Sequence, residues 1–134
     1  MQAEAFLDWL VELEPTWYTA VPTMRACVLD ELARRSPGAL AHCLRFARSC
    51  SAPLPARLAT ALETALGVPV IEAHGMTEAT HQMASSPLPP LRRKAGSVGI
   101  ATSTEIAILG ENGRPVPVGE PGEIVVRGET VITA

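Results

Sequence analysis

An apolar run that ends abruptly at a glycine constrains this chain more than any other feature. Val68-Pro69-Val70-Ile71-Glu72-Ala73-His74 leads straight into Gly75-Met76-Thr77-Glu78. A short apolar run bounded in this way predicts a buried strand, Val68 to Ala73, closed by a tight turn. Glycine at the turn lets a ligand approach the main chain closely. The Thr77 hydroxyl can bond a phosphoryl oxygen, and the Glu78 carboxylate is the hard oxygen ligand that Mg2+ prefers. The same pair also suits the start of a helix, with Thr77 as its cap and Glu78 in its first turn. The two readings are compatible, because a helix N-terminus favours bound phosphate.

The flanking segments predict an α/β arrangement. Ala3 to Glu14 has helical spacing, with Phe6, Leu10 and Leu13 on one stripe and Leu7 and Val11 beside it. Pro15 closes it, because the residue before a proline is pushed out of the helical region. Trp17 to Val21 is a short strand, and Pro22 suits the first turn of the next helix. That helix runs to about Arg35 with Met24, Cys27, Val28 and Leu32 inward, and Ser36-Pro37-Gly38 breaks it. Leu44 to Ser49 alternates as a strand does. Pro55 to Leu66 carries Leu58, Leu62 and Leu66 four apart, and Gly67 is a stop. Units alternating at this spacing predict parallel pairing.

The pattern changes after Ser85. Residues 86–95 form a proline-rich basic connection that includes Arg92, Arg93 and Lys94, read as solvated. Beyond it, Thr104 to Leu109 and Gly122 to Arg127 read as strands, with a turn at Asn112-Gly113. The expected division is therefore a partial α/β layer over 1–85, the connection over 86–95, and the start of a β-barrel over 96–134.

Composition narrows the function classes. In 134 residues, 47% are hydrophobic and 19% charged, which suits a folded chain. A net charge of −3 gives no reason to expect nucleic acid as a partner. No apolar run is long enough to span a bilayer, and Met1-Gln2-Ala3-Glu4 lacks the features of a signal peptide. Cys27, Cys43 and Cys50 are an odd count without metal-ligand spacing. They read as reduced, partly buried thiols in a cytoplasmic protein. His42 has no acid near it in sequence and is read as a packing or solvated residue.

Two motifs in order carry a family resemblance. His74-Gly75-Met76-Thr77-Glu78 resembles the Tyr-Gly-(Met/Leu)-Thr-Glu hallmark of the AMP-forming acyl-CoA synthetases, members of the adenylate-forming superfamily. Ser49-Cys50-Ser51-Ala52-Pro53-Leu54 resembles their upstream small-residue loop ending Ala-Pro-Leu. The continuation Glu78-Ala79-Thr80-His81-Gln82-Met83, followed by Gly96-Ser97-Val98-Gly99, looks most like the oxalate–CoA ligase branch. The likeness runs from roughly Thr16 to the C-terminus.

The resemblance implies ATP or AMP as ligand, Mg2+ as cofactor, and coenzyme A and a small carboxylic acid as co-substrates. It implies adenine contact by Ser51, Ala52 and Pro53 and by Glu72, Ala73, His74 and Gly75. Thr77 would contact phosphate and Glu78 the metal, the two forming the catalytic pair. His81, expected one helical turn beyond Thr77 on the same face, would meet the acid substrate. Two departures stand out: His74 replaces the usual Tyr, and Ser51 a more common Gly. His74 can equally be a solvent-edge histidine and His81 a surface one.

Other parts of the family pattern are not found. The family's Gly-rich phosphate loop, ribose-binding aspartate and catalytic lysine have no match here, and Lys94 is the single lysine. The expectation is an internal segment of such an enzyme, inactive alone. Rival readings are a non-catalytic nucleotide-binding fragment and a chain that works only by complementing another polypeptide. Self-association through uncovered strands is also expected.

Overall fold

The computed structural model describes residues 2–35, 40–79 and 81–132. The predicted break at Ser36-Pro37-Gly38 lies outside them. The elements run α1 (Ala3–Glu12), β1 (Trp17–Ala20), α2 (Pro22–Arg34), β2 (Phe46–Ser49), α3 (Ala56–Leu66) and β3 (Val70–His74). A one-turn 3-10 helix, Thr77–Ala79, follows. Then come β4 (Ala84–Ser85), β5 (Ile100–Ala101), β6 (Glu105–Leu109) and β7 (Glu123–Arg127).

Strands β1 to β5 form one sheet in sequence order. The first three are parallel, as the alternation of units predicts, and β4 and β5 add on antiparallel. Strands β6 and β7 make a separate antiparallel ladder. The expected barrel is thus represented by a two-stranded ladder, and no closed barrel is present among the described residues.

One face of the parallel strands is covered by helices. Tyr18, Ala20, Ala47 and Val70 project into a core shared with Leu7, Leu10, Val28, Leu62 and Leu66. Leu7, Leu10, Val28 and Leu62 are at most 1% exposed. Each such side chain contributes about 1.5–3 kcal/mol through removal from water. The α1 stripe differs from the sequence expectation. Helix α1 ends at Glu12 rather than Glu14, so Leu13 lies beyond it at 69% exposed, and Val11 is exposed too. Glu14 takes a left-handed φ of 46° before Pro15.

Helix α2 is corrected as well. Its buried residues are Arg25, Val28 and Glu31, whereas Cys27 faces solvent. Glu31 is neutralised by Arg34 at 2.8 Å and Arg35 at 3.3 Å. Cys43 is exposed too, and only Cys50 is a buried thiol. Helix α3 ends as predicted, with Gly67 in the left-handed conformation at φ 66°.

Side chains on loops then fix the sheet. The Glu63 carboxylate accepts the Val70 N–H at 2.8 Å, and it also binds Arg93. Arg93 in turn donates to the Val70 carbonyl at 2.9 Å. The basic connection is therefore pinned to the start of β3 through Arg93 and is not wholly solvated. His42 bridges two backbone segments. Its Nδ1 accepts from the Leu44 N–H at 3.1 Å, so its Nε2 donates to the Leu66 carbonyl at 3.0 Å.

Candidate nucleotide site

The parallel strands β2 and β3 end side by side, and the chain leaves each through a loop. Ligands of open α/β sheets gather at such carboxyl ends. A cavity of about 460 Å3 opens there, lined by Ser51, Ala52 and Pro53 from one loop and by Glu72, Ala73, His74 and Gly75 from the other. Ser49, Leu54, Gly96 and Val98 complete the wall. All seven residues expected at adenine thus share one cavity, although the two groups are well separated in sequence.

Local backbone geometry explains the glycine and one of the departures. A Cβ on Gly75 would overlap the His81 carbonyl, so only glycine lets the chain fold back here. The fold-back is held by the His81 N–H to the Met76 carbonyl and by the Met83 N–H to the His74 carbonyl, both at 2.9 Å. Ser51 has a φ of +70°, where a non-glycine residue is strained. That explains why Gly suits this position in the resembling loop.

Ser49 is a residue that the sequence motifs do not single out. It is 2% exposed, lines the cavity, and its Oγ has no partner among the described residues. An unpartnered hydroxyl on a cavity wall is available to a ligand. No residue pattern marks it beyond its place at the start of the small-residue loop.

Thr77 and Glu78 do not line this cavity. They stand exposed on the 3-10 turn just after Gly75-Met76. Thr77 begins the 3-10 turn instead of preceding it and so does not cap it, whereas Glu78 does lie in its first turn as expected. Neither the Thr77 hydroxyl nor the Glu78 carboxylate hydrogen-bonds another described side chain. The Glu78 carbonyl accepts the Ile132 N–H at 2.7 Å, which ties the end of the described chain to the turn.

His81 is also placed differently from the expectation. It is not one turn along a helix from Thr77, since the 3-10 helix ends at Ala79. It is exposed, with a φ of +77°, and its ring Nε2 lies 3.3 Å from Arg48 Nη1.

Two buried guanidiniums shape the local electrostatics. Arg25 is fully buried, donates to the Tyr18 hydroxyl at 3.2 Å and stacks 5.0 Å from that ring. Burial lowers the Arg25 pKa and raises that of Tyr18, each effect partly offset by the other residue. Cys50 lies within the field of Arg25 and Arg48. Burial pushes its thiol up, but hydrogen bonds with Thr19 and Ser51 and the two positive charges bring it below the usual thiol range.

The match to known proteins follows this geometry. The model of the AMP-binding enzyme family matches residues 1–134. The chain belongs to that family. It is 45% identical over 130 residues to the oxalate–CoA ligase of Arabidopsis thaliana, covering 96% of this chain and 25% of that protein. It is 41% identical over 117 residues to the sulfoacetate–CoA ligase of Cupriavidus necator, covering 87% of this chain and 22% of that protein. Its fold is similar to that of an anthranilate–CoA ligase in complex with anthranoyl-AMP. The TM-score is 0.84 and the identity 33%, over 96% of this chain and 24% of the other. The chain spans about a quarter of the length of the curated relatives that it matches.

Proposed function

We propose that this chain is the nucleotide-holding segment of an ATP-dependent acid–CoA ligase. In that reaction a carboxylate oxygen attacks the α-phosphorus of ATP and pyrophosphate leaves. The sulfur of CoA then attacks the acyl carbon, AMP leaves with the bonding pair, and the thiol proton passes to solvent. The observation that carries the reading is the single cavity lined by both adenine loops. Ser51, Ala52 and Pro53 would face one side of adenine, and Glu72, Ala73, His74 and Gly75 the other. The Ser49 hydroxyl adds a donor.

Thr77 and Glu78 are the proposed catalytic pair. Both are exposed and uncommitted on a turn adjoining the cavity wall, which suits a hydroxyl for phosphate and one carboxylate for Mg2+. Magnesium is commonly held by one or two carboxylates together with phosphate oxygens and water, so a single Glu78 fits. When bound, the ion would offset the negative charge of the phosphates.

The division into 1–85, 86–95 and 96–134 belongs to the same proposal, as does a cytoplasmic setting. Alone, the chain is expected to bind AMP or ATP without forming acyl-AMP. It is also expected to self-associate or to need a complementing chain, since Trp17 and Ile100 leave apolar surface open. The test uses a chimaera in which residues 16–132 replace the matching part of the Arabidopsis relative. Oxalate-dependent pyrophosphate release should persist and fall about a hundredfold to a thousandfold with Glu78→Gln, with a smaller loss for Thr77→Val. A Glu78→Gln rate within about threefold of the parent would refute the metal role.

A further inference from the structure

Arg48 is a buried cation without a counter-charge. It lies in β2, is 8% exposed, makes no ion pair with a described residue, and its Nε has no hydrogen-bond partner among them. Its side-chain hydrogen bond goes to His81 Nε2. An arginine can only donate, so Nε2 must accept and the ring proton stands on Nδ1. Removing a charge from water without a partner is costly, and such an arrangement persists where something else supplies the opposite charge.

The surroundings say what that could be. Arg48 projects from the sheet face opposite the helices, where a second cavity of about 450 Å3 is lined by Trp17, Phe46, Arg48, Ile71, Gln82 and Thr102, among others. No acidic residue is among its lining residues. Trp17 and Phe46 stack with centroids 5.7 Å apart and wall one side with apolar surface. The guanidinium is thus the positive charge in an apolar recess, a setting that recognises a carboxylate or sulfonate by paired N–H donors. His81 holds a left-handed backbone beside it, the kind of local strain found at functional sites.

We propose that Arg48 is a specificity-determining residue that holds the second anionic group of a small acid substrate, with His81 orienting its guanidinium. The inference rests on the acid–CoA ligase reading and names the acid class within it: acids bearing two anionic groups, such as oxalate or a sulfonated acetate. The two cavities share β2 and β3. Ser49 and Glu72 face the nucleotide, and Arg48 and Ile71 face the acid. An acid anchored at Arg48 is therefore one strand position from the nucleotide wall.

The test uses the chain itself, titrated by NMR with oxalate, with propanoate and, separately, with AMP. The expected result is oxalate binding at least about tenfold tighter than propanoate, with the Arg48 Nε–H resonance shifting as oxalate is added. Arg48→Gln should remove the oxalate preference while AMP binding stays, and Arg48→Lys should keep part of it. Equal or absent binding of the two acids, an unmoved Arg48 resonance, or an oxalate preference that survives Arg48→Gln would overturn the proposal. If Arg48→Gln fails to fold, the acid ratio and the Nε–H shift in the parent chain decide. Loss of AMP binding with the oxalate preference intact would instead overturn the nucleotide reading alone.

Discussion

Gly75→Ala offers the most direct check on how the site is built. The added Cβ would overlap the His81 carbonyl and come within 2.9 Å of the Gln82 nitrogen. All of these are main-chain atoms, so no side-chain rotation relieves the clash, and the return from His81 to Met83 must move. That return carries two backbone hydrogen bonds of 2.9 Å, to Met76 and to His74, and it leads into β4. Each lost bond costs about 1 kcal/mol net, and forcing a methyl into packed structure adds about 1–3 kcal/mol. The expected total is about 3–5 kcal/mol, a large part of the ~5–15 kcal/mol that holds a domain together.

Equilibrium unfolding in urea, followed by tryptophan fluorescence, reads this out. With a slope of about 2 kcal/mol per molar, the midpoint should fall by roughly 2 M. Gly113→Ala is the comparison. Gly113 also has a positive φ, of 70°, but its added Cβ would meet open space. It should therefore lose only about 1 kcal/mol, through backbone strain. If the two variants were equally stable within about 0.5 kcal/mol, the fold-back at Gly75 would not have the tightness argued for it.

Two further outcomes follow from the local electrostatics and strain. Tyr18 is the chain's single tyrosine, so tyrosinate absorbance reports it alone. Burial raises its pKa in the folded state, with Arg25 partly opposing, so its contribution to stability is intact below about pH 10 and lost as pH rises through the folded value. Absorbance should titrate above the ordinary tyrosine range, and Tyr18→Phe should flatten the alkaline slope of stability. A midpoint at or below about pH 10 would contradict it. Ser51→Gly removes a left-handed strain at φ +70° and should raise stability by about 0.5–1 kcal/mol, seen as a melting temperature higher by a few degrees. The same change deletes the Ser51 contact to Cys50 Sγ at 3.6 Å, so alkylation of Cys50, followed by peptide mapping to separate it from the exposed Cys27 and Cys43, should need a higher pH. An unchanged or lowered melting temperature would count against the strain argument.

The parallel layer was legible because its signals are local and redundant. Val68 to Ile71 is apolar and the strand it opens runs into a glycine, Pro22 opens α2, and Gly67 closes α3. What escaped was set by tertiary context. Strands β4 and β5 have two residues each, too few for an alternation to register, and they exist because Ala84 and Ser85 meet both β3 and β5. Leu13 and Val11 looked like core, but α1 stops before the first and turns the second outward. Arg25 and Arg48 escaped for the opposite reason: burial of a cation runs against every hydrophobicity rule, and only the packed structure reveals it. At the site, the loop and turn motifs were readable as strings. The placement of His81 was not, since it depends on a left-handed residue after a turn too short to be a helix.

The register of β2 against β3 ties these observations to function. Successive residues of a strand face opposite sides, so Ser49 reaches the cavity at the strand ends and Arg48 the other one only at the observed pairing of Arg48 with Ile71 and Ser49 with Glu72. A one-residue slip of β2 would send Arg48 toward the helices and turn Ala47 out of the core in which it lies. The pairing is held at its start rather than at the site. Glu63 and Arg93 grip the N–H and carbonyl of Val70, and the Ala47 N–H reaches the Pro69 carbonyl at 2.9 Å. The Glu63–Arg93 pair lies toward the surface and is worth little as an ion pair in itself. Its value lies in fixing how Arg48 and Ser49 pair with Ile71 and Glu72. The basic connection therefore acts on the site through the register of β3, at a distance from the residues that would touch the ligands.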